Sequence, residues 1–116
     1  MTYPWMSYKR AQSFESEADR LGVSEVARSE DGFMREYEQA KTASAMKKRS
    51  LPTGVRGGET WDQKRNGFLA RFVPDPPSEI TYARFLALVM WAYHPPVASI
   101  PPKGAPRSAM VKITKH

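Results

Sequence analysis

Prolines divide this chain more firmly than any other residue type. After Pro4 none occurs until Pro52. Then come Pro74, Pro76 and Pro77, then Pro95 and Pro96, and finally Pro101, Pro102 and Pro106. Proline lacks the backbone N–H and pushes the residue before it out of the helical region, so long helices must fit between these positions. Residues 5–51, 53–73 and 78–94 remain open to helix, and the chain beyond Pro95 has no room for a long one.

The first open stretch is expected to hold two main helices. SFESEADRLG has Ser13 as its N-cap and Gly22 as its stop, and the short turn VSEVARS follows. SEDGFMREYEQAKTASAMKKR then places Phe33, Met34, Tyr37 and Ala40 near helical spacing. It opens acidic and closes on Lys47, Lys48 and Arg49, the order that suits the helix dipole. SLPTGVRGGE, with one proline and three glycines, reads as a loop. In TWDQKRNGFLARF, Thr60 and Gln63 form a capping-box pattern. At 100° per residue Trp61, Phe68 and Phe72 share a face with Leu69 at its edge; Arg65 lies inside that stripe, and Lys64 and Arg71 lie on its flank. SEITYARFLALVMWAYHPP is apolar almost all round, which predicts a central buried helix ending at His94. VASIPPKGAPRSAMVKITKH reads as an extended tail in which MVKIT could add as an edge strand.

The expected fold is therefore all-α, a small bundle of about four helices. The N-terminal arm is 1–12, the helical domain 13–94 with a Gly/Pro-rich loop at 50–59, and the extended C-terminal tail 95–116. Deleting residues 1–8 or 97–116 is expected to leave the helical signal intact.

A chain of 116 residues suits one modest core, and its apolar fraction of 41% with 26% charged residues suits a folded domain. Cysteine is absent, which excludes disulfides, thiolate metal sites and cysteine nucleophiles. No apolar run reaches the roughly 18–20 residues of a membrane span, and no basic-then-apolar leader opens the chain. A soluble, non-secreted protein with no membrane partner is expected. The net charge of +6 is unevenly spread: residues 1–44 hold six Lys/Arg and eight Asp/Glu, residues 45–116 twelve and four. The basic half makes contact with a polyanion plausible, against solubility as the plainer reason.

Catalytic signals are weak. His94 and His116 have no partner at metal or triad spacing. Gly57-Gly58 precedes a helix but lacks the strand and the lysine of a phosphate loop. No enzyme, cofactor, metal or small-molecule substrate is expected. EADRLGVSEVARS has the outline of a helix-turn-helix, yet Arg28 stands where a buried aliphatic residue belongs and the region is acidic, so it reads as a Gly-containing corner. Lys47, Lys48, Arg49, Arg56, Lys64 and Arg71 could neutralise a run of phosphates, against solvated helix ends as the plainer reading. Arg65 is read as a buried pair with Asp62, as a stem with its head in solvent, or as an anion site.

In the opening arm, Pro4 pre-extends the backbone and Trp5 is a strong anchor for a pocket in this chain or another. Tyr3, Trp5 and Met6 in that arm, and Ile100, Val111 and Ile113 in the tail, are the partner-docking candidates.

Three stretches, GVSEVARSEDGFMREY at 22–37, WDQKRNGFLARF at 61–72 and LALVMWAY at 86–93, together resemble small, mostly uncharacterised proteins encoded by tailed bacteriophages. The resemblance implies a helical core and a place in a virion or the bacterial host cytoplasm. It transfers no functional residue. The leading expectation is a non-enzymatic structural or accessory component that docks other chains of an assembly, or copies of itself, through its arms. A basic nucleic-acid-binding module is the alternative, and an inhibitor of a host protein the third.

Overall fold

The computed structural model describes residues 3–30, 32–51, 60–73, 79–97 and 99–113. Arg56, the Gly57-Gly58 pair and His116 lie outside them. The chain is mostly helical, with α1 (Tyr8–Gln12), α2 (Glu15–Arg20), α3 (Glu25–Arg28), α4 (Phe33–Ala40), α5 (Ala43–Lys47), α6 (Trp61–Phe72) and α7 (Tyr82–Val89). It is not purely so. Strand β1 (Glu79–Thr81) pairs antiparallel with β2 (Met110–Lys112), Ile80 opposite Val111.

The N-terminal helix begins earlier than Ser13. Ser7 caps α1 by accepting from the Arg10 N–H, and Ser13 closes that helix instead of opening the next. Gly22 is a stop as expected, with φ at 67°, a backbone region open to glycine at little cost. The long helix expected over 29–49 is broken in two. Lys41 sits at φ 71° and ψ −32°, and Thr42 recaps the chain by accepting from the Ala45 N–H. Gly32 lets α3 and α4 meet: a Cβ there would lie 2.2 Å from the Val26 carbonyl oxygen.

The capping box on α6 is complete, with Thr60 Oγ1 accepting from the Gln63 N–H and Gln63 Oε1 accepting from the Thr60 N–H. The buried face of α6 is rotated from the expected one. It is Trp61, Arg65 and Leu69, while Phe72 is 42% exposed.

The apolar segment near 78–96 is central but only partly helical. It starts as β1, turns through α7 and leaves the helix at Met90, with Ala92 at φ 57°. Phe85, Leu86, Leu88 and Val89 are fully buried; each such side chain contributes about 1.5–3 kcal/mol. Around α7 the tail is wrapped. The N–H groups of Tyr82 and Ala83, free at a helix start, donate to the carbonyls of Ala109 and Arg107. Within MVKIT, Met110–Lys112 thus forms the short strand β2, and its partner is β1. The Cα radius of gyration is 13.9 Å, close to the roughly 13 Å of a compact chain this long.

Candidate nucleic-acid interface

The arms come first, because their placement decides which surfaces are free. Trp5 forms a β-bridge with Tyr93, and the Met6 N–H donates to the Ala92 carbonyl at 2.6 Å. The Tyr37 hydroxyl, 2.7 Å away, donates to the Met6 carbonyl. The Trp5 ring lies 5.7 Å from Phe33 and 5.6 Å from Tyr37, and Tyr3 meets Tyr93 edge-on at 5.9 Å. In the tail Val111 and Ile113 are buried, Ile113 bridges Val97, and Ile100 is half-buried against the core. All six docking candidates therefore pack on this chain's own core, and the pocket for Trp5 belongs to this chain.

Arg65 holds the N-terminal arm down. Its side chain is fully buried, and no ion pair with Asp62 forms. Instead Nε donates to the Trp91 carbonyl at 2.6 Å, Nη1 to Tyr3 at 3.1 Å, and Nη2 to Pro4 at 2.8 Å and Ala92 at 3.1 Å. The guanidinium carbon lies 4.1 Å from the centroid of a Trp5 ring, a favourable cation–π distance. Burial pulls its pKa down to about 10, so it is still a cation at neutral pH. Its charge faces carbonyls just past the C-terminus of α7, the negative end of the helix dipole. With every acceptor drawn from the chain itself, Arg65 is a structural clamp and not an anion site.

The basic candidates fall into two groups. Arg49 is committed: its Nε lies 2.9 Å from Glu36 Oε2, Nη2 donates to Gln39, and its carbonyl accepts from the Trp61 N–H. It joins α4, α5 and α6. Lys47, Lys48, Lys64 and Arg71 have no acid partner among the described residues, as is true of every described lysine, whereas Arg20, Arg28, Arg35 and Arg49 are ion-paired. Two of the lysines are placed over rings: Lys47 Nζ is 6.0 Å from Trp5, and Lys64 Nζ is 5.5 Å from Trp61. Trp5 and Trp61 both touch Phe33, and α5 packs on α6. One aromatic cluster thus underlies both lysines, which lie far apart in sequence.

The sequence reading missed the exposure of Phe72, which it assigned to the apolar stripe, while Phe68 of the same stripe is half-buried against the core. Phe72 stacks on Phe68 at 4.5 Å and 26°, and Phe68 stacks on Trp91 at 5.0 Å and 23°. The signal was present in the flank of Lys64 and Arg71, which shares the Phe68 side of the helix. At the end of α6, Arg84 donates to the Phe72 carbonyl through Nε at 2.9 Å and also through Nη2.

Elsewhere the corner between α2 and α3 is tied by Arg28, which donates to the Val23 carbonyl at 2.8 Å and pairs with Asp19 at 3.1 Å. The His94 ring nitrogen lies 3.4 Å from Arg10 Nη2. Among the described residues there is no group of three or more His, Asp or Glu placed to hold a metal ion, and no helix is long and apolar enough to cross a membrane. Comparisons with protein-family models, with curated proteins and with solved structures find no match for this chain.

Proposed function

We propose that this protein is a non-enzymatic nucleic-acid-binding module that engages its ligand through α5 and α6. One observation carries the reading: Lys47 and Lys48 at the end of α5, and Lys64 and Arg71 on α6, are without an acid partner among the described residues, and the two helices pack together. Unpaired cations on adjoining helices cost self-repulsion in the free protein, and a phosphate backbone relieves it. Docking into a larger assembly through the arms is less favoured. It would require Trp5 to leave its ring contacts and Val111 to leave the core.

The test is binding of a labelled oligonucleotide, followed by fluorescence anisotropy at about 50 and 200 mM salt. Neutralising four phosphates should cost on the order of a hundredfold in affinity over that range. Changing Lys47 and Lys48 together to glutamine should weaken binding evenly across sequences and flatten the salt slope by about two. No binding at 50 mM salt, or a slope untouched by the double change, would overturn the proposal.

A further inference from the structure

The aromatic rings on α6 form a stair that leads out of the core. Trp91 is buried, Phe68 half-buried and Phe72 42% exposed, and each ring lies nearly parallel to the next. A lone exposed phenylalanine needs no explanation. This one has two further properties. Its inner face is fixed by Phe68, which Trp91 fixes in turn, so the ring is held by packing. A cation also lies beside it: the Arg71 guanidinium is over the ring, 6.0 Å from the Phe72 centroid, while Arg84 is held at the Phe72 backbone carbonyl. Lys64 and Arg71 flank Phe68 along the helix, about 10 Å apart at 1.5 Å per residue.

A partly exposed ring backed by Phe68 with Arg71 beside it, on a helix flank that also carries Lys64, suits a ligand that carries flat apolar rings on an anionic backbone. Base-paired DNA hides its base faces inside the stack, so the exposed ring would find nothing to stack on. An acidic peptide would meet the cations but leave Phe72 unused. We infer that the face formed by Lys64, Phe68, Arg71 and Phe72 binds single-stranded nucleic acid, with one unpaired base stacked on Phe72 and the flanking phosphates against Lys64 and Arg71. This inference rests on the nucleic-acid reading above and adds the strand state and the stacking residue.

The experiment compares a labelled oligothymidylate with a blunt duplex of equal length, using the full chain and the variants Phe72→Ala, Phe72→Leu and Phe72→Trp. Base stacking on one side chain is worth at least about fivefold in affinity. Phe72→Ala and Phe72→Leu should each lose that much for the single strand, leave duplex binding unchanged and keep the salt slope. Phe72→Trp should bind the strand at least as well as the wild type. Because leucine keeps the apolar bulk and suits a helix, its loss separates missing stacking from damaged folding.

If Phe72→Leu binds the strand as the wild type does, the inference falls while the nucleic-acid reading stands. The same holds if the duplex binds more tightly than the strand. Polyglutamate competing as well as oligothymidylate would also overturn it, and failure of both oligonucleotides to bind would remove both readings.

Discussion

Arg65 is the residue on which two ends of the chain depend. Its fork meets Tyr3 and Pro4 on one side and Trp91 and Ala92 on the other, so removing it leaves carbonyls from both segments without a donor. An unsatisfied buried acceptor costs about 1–3 kcal/mol. Arg65→Met is therefore expected to lower stability by about 3–5 kcal/mol. Arg65→Lys should recover less than half of that, because an ammonium cannot serve carbonyls in the plane of a guanidinium. Urea unfolding followed by tryptophan fluorescence checks both; an Arg65→Met midpoint equal to wild type would show that the cradle contributes nothing. An arginine inside an apolar stripe was visible in the sequence as an anomaly. Its acceptors were not, since backbone carbonyls 26 to 62 residues away leave no mark in side-chain spacing.

At the scale of elements, local signals were sound where a cap or a proline set the boundary. Thr60 and Gln63 start α6, and Gly22 follows the end of α2. They failed where a tertiary contact interrupted a good helical pattern. Nothing in AKTAS demands a break, yet Lys41 leaves the helix at positive φ and α5 turns against α6. A left-handed conformation costs a non-glycine residue about 1–2 kcal/mol, part of which glycine returns through its larger unfolded-state entropy. Lys41→Gly is thus predicted to stabilise the protein by about 0.5–1 kcal/mol, seen in calorimetry as a rise of about 2–4 °C in Tm. A fall in Tm would mean that the Lys41 side chain supports the junction. For β1, Glu79-Ile80-Thr81 read as the start of the central helix, and its strand state was not legible because a three-residue strand exists only against its partner.

On the scale of the whole molecule, Glu17 fastens the C-terminal tail to the body. Its buried carboxylate accepts from Arg20 at 2.8 and 3.0 Å, from the Gly104 N–H at 2.9 Å and from the Tyr82 hydroxyl at 3.0 Å. Arg20 also donates to the Ala105 carbonyl at 2.6 Å, and Arg107 donates to Leu21. The Arg20 bonds, then the Gly104 N–H, hold the Glu17 carboxyl down at about 2. A carboxylate whose pKa is depressed on folding contributes stability that is complete above its ordinary value near 4.5 and is lost as the pH falls towards 2. The urea midpoint should therefore drop between pH 5 and pH 2. Glu17→Gln should be less stable at pH 7 and show a flatter acid profile, and parallel profiles would exclude the clasp as a source of acid sensitivity. By itself the sequence determined where helices could not run, which segment was central and which half was basic. Proline geometry, apolar content and charge act locally or add up along the chain, so they can be read residue by residue. Only the tertiary structure decided that the arms belong to the core, that Arg65 is satisfied by carbonyls, and that Phe72 faces water beside unpaired cations. Each of those depends on groups far apart in sequence meeting at hydrogen-bond or ring-contact distance, which no local pattern encodes.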